Sequence, residues 1–131
     1  MLSPECRPVA AVLFMSGAVR LHCNFYQLCA VLAEVQKICP LGKLEFERQN
    51  RGLFSGIVYR ALAQMHRAGF VEWKDAENLI VVKRNLRVFT AFVAELNQMS
   101  GFEGAGVKRR FREAGDWIAG SIEHDDRPLS L

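Results

Sequence analysis

Long apolar runs are missing from this sequence. The longest, VAAVLFM at residues 9–15, falls far short of the roughly 20 apolar residues that a bilayer-spanning helix needs. It resembles the apolar part of a secretion signal, but the basic start and small-residue cleavage pattern of such signals are poorly developed. A cytoplasmic location is therefore expected. CxxC pairs are missing too. The four cysteines, Cys6, Cys23, Cys29 and Cys39, are expected to be reduced, buried thiols. His22, Cys23, Cys29 and Cys39 fit no common zinc spacing, so neither a metal nor a cofactor is expected.

Catalytic motifs are equally scarce. His22, His66 and His124 stand far apart, and none accompanies an obvious nucleophile. GFEGAG (101–106) lacks the lysine and Ser/Thr of a phosphate loop and reads as a linker or turn. The expectation is that the chain is not an enzyme. There is no internal repeat, no low-complexity segment and no large excess of one charge. The net charge of +3 favours an anionic partner only mildly.

What is present is an ordinary globular composition. Half of the 131 residues are hydrophobic and 24% are charged, which suits one domain, 1–131, with a real core. Pro8 can start a helix through VAAVLFM that stops near Ser16-Gly17; a buried strand is the alternative for so short a run. AVRLHC alternates like a short strand. Asn24 caps a helix over 24–39, with Gln27 at the capping-box position, and Pro40 disfavours its continuation. GKLEFERQN (42–50) reads as a short helix, NRG (50–52) as a turn and 53–68 as a longer helix. Gly69 is placed to end that helix in the left-handed conformation. FVEW and NLIVVK form a hairpin around KDAE. A helix over 84–100 carries Leu86, Phe89, Phe92, Val93, Leu96 and Met99 on a wide apolar face. A last helix, Val107 to Ile122, has a narrow stripe of Val107, Phe111, Ala114, Ile118 and Ile122.

Short helix, turn, longer helix and two-strand hairpin is the order of a winged helix-turn-helix domain. Val58, Tyr59, Arg60, Leu62, Met65, Ala68, Gly69, Phe70 and Val71 resemble the segment by which bacterial winged-helix transcription regulators, MarR-like and GntR-like among them, are recognised. The resemblance covers residues 43–83. It implies a mainly α fold with a small β-hairpin wing and additional N- and C-terminal helices. The chain then divides into N-terminal helices (1–40), helix-turn-helix plus wing (41–84), C-terminal helices as a candidate dimerisation region (85–122) and a polar tail (123–131).

The helical spacing supports that reading independently. Phe54, Ile57, Val58, Ala61, Leu62, Met65 and Ala68 gather on one side; Ser55, Gly56, Tyr59, Arg60, Ala63, His66 and Arg67 gather on the other. The second side has the donors that a major-groove helix needs. Arg60 can fork onto a guanine or pair with phosphate, and Tyr59 and Ser55 can hydrogen-bond phosphate. Arg48 and Arg51 suit backbone contacts. Residues 43–70 hold five bases and two acids. The expected DNA-binding residues are therefore Arg48, Arg51, Ser55, Gly56, Tyr59, Arg60 and Arg67. Lys108, Arg109, Arg110 and Arg112, outside the stripe of the last helix, form a second basic patch. The expected function is sequence-specific binding of double-stranded DNA by a small transcriptional regulator, homodimeric through residues 85–122. The alternatives are a winged-helix protein-interaction module and a replication or plasmid-maintenance initiator domain. The hairpin tip KDAEN carries two acids against one lysine, unusual for a wing that grips the minor groove.

Overall fold

A computed structural model describes residues 2–37, 39, 44–98 and 105–125. They form a mainly helical fold with a small antiparallel sheet: α1 (Arg7–Met15), β1 (Arg20–Leu21), α2 (Phe25–Val35), β2 (Glu47–Gln49), β3 (Gly52–Phe54), α3 (Gly56–Ala68), β4 (Val71–Lys74), β5 (Leu79–Val82), α4 (Leu86–Leu96), α5 (Ala105–Ser121) and β6 (His124–Asp125).

The apolar run at 9–15 lies in α1, with a proline in its first turn. Val9 to Leu13 are all buried, because the helix is packed by α3, α4 and α5. That enclosure explains why the run lacks amphipathic periodicity. α5 crosses α1 closely: a Cβ on Gly115 would lie 2.5 Å from the Met15 carbonyl carbon. The C-terminal end of α1 is held by Arg84, whose guanidinium donates to Phe14 O (3.0 Å) and Ala18 O (2.9 Å) and lies 5.2 Å from the centre of the Phe14 ring.

β1 is central in a sheet of order β4-β5-β1-β6. Its partner β6 corrects the expectation of a polar tail fraying from 123: His124 and Asp125 pair with Leu21 and Arg20, and an Arg20–Asp125 ion pair closes at 2.9 Å. The tail beyond 125 lies outside the described residues. α2 has the expected capping box, Asn24 with Gln27, but ends at Val35 rather than 39. α3 ends at Gly69, whose φ of +82° favours glycine. The β4–β5 hairpin forms as expected, with Val71 opposite Val82 and Lys74 opposite Leu79.

The short helix expected over 42–50 is not there. Among its described residues, Glu47–Gln49 instead pair with Gly52–Phe54 as a hairpin. Leu44 is buried, Glu45 exposed, Phe46 half-buried and Glu47 exposed, an alternation of period two rather than 3.6. Asn50 and Arg51 make the loop, and Gly52 takes φ +137°, a conformation side chains disfavour. Tyr26 packs over Gly52, 3.4 Å from where a Cβ would sit. Leu53 and Phe54 thus belong to a strand, and α3 begins at Gly56.

On α4, Phe92 and Leu96 are buried and Leu86 is 81% exposed. Phe92 stacks on Phe70 and tilts against Phe14, with ring centres 4.8 and 4.9 Å apart. The Phe89 side chain, Met99 and the GFEGAG residues 101–104 lie outside the described residues. Phe111, Ala114, Ile118 and Ile122 are buried as the stripe requires.

Candidate nucleic-acid interface

Ser55 fixes the start of α3. It is 1% exposed, and its Oγ accepts from the Val58 backbone N–H at 3.3 Å. Such a cap satisfies one of the helix's orphan donors. The expectation that Ser55 offers its hydroxyl to phosphate is corrected on this ground, since the side chain is turned inward.

The outward side of α3 presents Gly56, Tyr59, Arg60, His66 and Arg67, all exposed, with Ala63 half-buried. Their environments differ. Arg60 donates to Glu5 at 2.8 Å, with both side chains about half exposed. Ser3 and Gln64 bond twice alongside, Ser3 N to Gln64 Oε1 and Gln64 Nε2 to Ser3 Oγ, each at 2.8 Å. The segment before α1 therefore lies along one flank of α3. His66 Nδ1 accepts from the Trp73 backbone N–H at 3.2 Å and ties α3 to β4. Arg67 has no ion-pair partner among the described residues.

Tyr59 is 49% exposed but is no free arm. Its ring meets Trp73 at 5.3 Å and Phe25 at 5.7 Å, both edge-on, and Phe54 at 6.4 Å. This cluster joins α2, β3, α3 and β4. It escaped the sequence reading because its members are scattered from 25 to 73 and only the tertiary fold gathers them.

Arg48 lies on β2 and Arg51 in its hairpin loop, both exposed. The hairpin leads directly into α3, so these bases flank its N-terminal end. A depression of about 300 Å³ at the start of α3 is lined by Glu45, Phe46, Glu47, Phe54 and Gly56. On the other hairpin, the acids have structural partners. Asp75 accepts from the Phe25 N–H at 2.7 Å and so holds the start of α2. Glu72 pairs with Lys83 at 2.6 Å, and that hydrogen bond holds its carboxyl below the usual range. Lys74 lies between Glu72 and Glu77.

The second basic patch is on α5. Lys108 is half-buried, and Arg109, Arg110 and Arg112 are exposed. The four cysteines are buried free thiols. Burial pushes Cys23 up to about 12 and Cys29 up to about 11, so both stay protonated near neutrality. Among the described residues no three His, Cys, Asp or Glu side chains are placed to hold a metal, and no helix is long and apolar enough to cross a membrane.

No protein-family model, curated protein or solved structure matches this chain. Its class follows from its own geometry: a mainly helical fold with a small antiparallel sheet, in which helix α3, between two hairpins, buries one side and exposes a partly basic other side.

Proposed function

We propose that this chain is a winged helix-turn-helix module that binds double-stranded DNA, with α3 entering the major groove, and that it acts as a small, non-catalytic, cytoplasmic transcriptional regulator. The fold part of this reading is supported by element order and pairing. α1, β1, α2, the β2–β3 hairpin, α3 and the β4–β5 hairpin follow one another, and β1 pairs on β5. The departure is the β2–β3 hairpin, which stands where the short helix over 42–50 and the turn at 50–52 were expected, so on this reading α2 (Phe25–Val35) takes the place of the first helix of the motif. On this reading the hairpin takes over backbone contacts through Arg48 and Arg51, while the acid-bearing β4–β5 hairpin serves chiefly to brace α2 and α3.

The observation that carries the functional part is the exposed α3 side with Arg60 and Arg67, continued by Arg48 and Arg51. Small residues at Gly56 and Ala63 let a groove approach the helix closely but leave few side chains to read bases. Phosphate contacts are therefore expected to dominate, and affinity should fall steeply with salt. The test is a salt titration on random and genomic duplex DNA, comparing wild type with Arg60→Ala plus Arg67→Ala. The double variant should bind at least ten-fold more weakly, with a shallower salt slope. Absence of duplex binding by wild type at low salt refutes the proposal.

One observation favours the second reading, a protein-interaction module of the same architecture. Glu45 and Glu47 border the depression at the start of α3, and Glu5 engages Arg60. These acids interrupt the positive strip and suit a basic protein partner. Loss of duplex binding with retained capture of a lysine- or arginine-rich peptide, removed by Glu45→Gln plus Glu47→Gln, would select that reading.

A further inference from the structure

We propose that the outward face of α5 is a self-association surface, on which the same helix of a second copy of this chain docks antiparallel. The inference goes beyond nucleic-acid binding and does not rest on it. Phe111, Ala114, Gly115 and Ile118 of α5 face inward, and Arg109, Arg112, Glu113, Asp116 and Trp117 face outward. The outward charges are segregated: bases come first and acids follow. This order runs against the helix dipole, which favours acids early and bases late. The helix has no acid in its first turn and no base in its last.

Nor do these charges satisfy one another within the chain. Arg109 and Glu113, like Arg112 and Asp116, are spaced i,i+4 with base before acid, the poorer orientation. None of the four has an ion-pair partner among the described residues. An antiparallel copy centred between positions 112 and 113 resolves the arrangement. Arg109 then faces Asp116 of the partner subunit, and Arg112 faces Glu113 of the partner subunit. Two-fold symmetry repeats both pairs. Trp117, 47% exposed, borders a shallow depression of about 460 Å³ lined also by Glu113, Asp116, Gly120 and Ser121. That acidic, aromatic surface suits a guanidinium, which stacks on indole and pairs with carboxylate; Arg109 of the partner subunit supplies one. A single helix pair buries less than an ordinary stable interface, so the association is weak and salt-sensitive.

Sedimentation equilibrium of the full chain without nucleic acid tests this. At low salt the mass should climb with concentration from 14.8 kDa towards its double, and high salt should reverse the rise. Arg109→Glu plus Arg112→Glu makes the stripe acidic, and Glu113→Arg plus Asp116→Arg makes it basic. Each exposed-site variant should be monomeric alone, and an equimolar mixture should form a one-to-one dimer. The swap Arg109→Asp plus Asp116→Arg preserves the antiparallel pairing and should still dimerise. A constant monomer mass for wild type, dimers in either single-sign variant, or a mixture that stays monomeric overturns the proposal.

Discussion

Gly115→Ala tests the close crossing of α1 and α5. A Cβ at this position would lie 2.5 Å from the Met15 carbonyl carbon and 2.6 Å from Met15 O and Ser16 N. Carbon atoms pack at about 3.5–4 Å, so α1 and α5 must separate by about 1 Å, because backbone atoms have no rotamer to escape into. α1 is poorly placed to move, since Val9 to Leu13 are all buried. Overpacking of this kind costs about 1–3 kcal/mol, and a backbone clash belongs at the upper end. Replacing glycine by alanine in a helix returns about 1 kcal/mol. The net loss is then about 2 kcal/mol, which lowers Tm by about 8 °C for a domain of this size. Gly120→Ala is the control on the same helix: nothing lies within 4 Å of its Cβ, so only the propensity gain of up to about 1 kcal/mol remains. Urea unfolding followed by far-UV circular dichroism reads both, at high salt to suppress self-association of α5. A Gly115→Ala protein as stable as wild type would refute the close crossing, and with it the account of how α5 is seated.

Three further outcomes are expected. Ser55→Ala should cost about 1 kcal/mol through loss of the α3 cap, while leaving duplex affinity unchanged once the protein is folded; a selective loss of affinity would return Ser55 to the interface. Cys23 at about 12 and Cys29 at about 11 lie above the ordinary thiol value of 9.0. Their stabilisation is fully present below pH 9 and is lost as pH rises from there through the folded values, because the unfolded chain releases protons that the folded chain keeps. The urea midpoint of wild type should therefore fall more steeply between pH 9 and 11 than that of Cys23→Ala plus Cys29→Ala, and equal slopes would refute this linkage. Glu5→Gln frees Arg60 from its carboxylate partner and, for so exposed a pair, should barely change stability. Duplex affinity should rise and the salt slope steepen by about one contact; an unchanged titration would show that Arg60 does not reach the backbone.

Local signals account for most of the architecture. The Asn24–Gln27 capping box, the Gly69 stop and the two runs around KDAE needed no tertiary information, because each is settled within four or five residues. α1 was legible as either a helix or a strand, since a fully enclosed helix loses its periodicity. The failure at 42–50 has a specific cause. LEFE alternates, but the segment is short and rich in good helix formers such as Leu and Glu, and the decisive partner, Gly52–Phe54, was itself assigned to a turn and a helix. Strand pairing is a property of two segments, so an error in one hid the other. β6 was missed for the same reason: two polar residues become a strand only because Arg20 and Leu21 lie beside them.

The proposed interface was less legible than the fold, because charge in a sequence is counted whereas charge on a surface is paired. Arg60 and Arg67 look equivalent on a helical projection, yet Arg60 faces a carboxylate 55 positions earlier in the chain and Arg67 does not. Asp75 counts against DNA as part of an acidic wing tip, but its carboxylate is occupied by the first N–H of α2 and contributes less free negative potential than an unpartnered acid. Glu47 accepts from the neighbouring Gln49 Nε2 at 2.9 Å, but neither it nor Glu45 has an ion-pair partner among the described residues. The balance at α3 therefore turns on Glu5, Glu45 and Glu47 against Arg48, Arg51, Arg60 and Arg67, not on the net charge. Removing the Glu5 carboxylate and removing the Glu45/Glu47 pair should consequently act additively on the salt slope if phosphate is the ligand, whereas for a basic protein partner both changes should weaken binding.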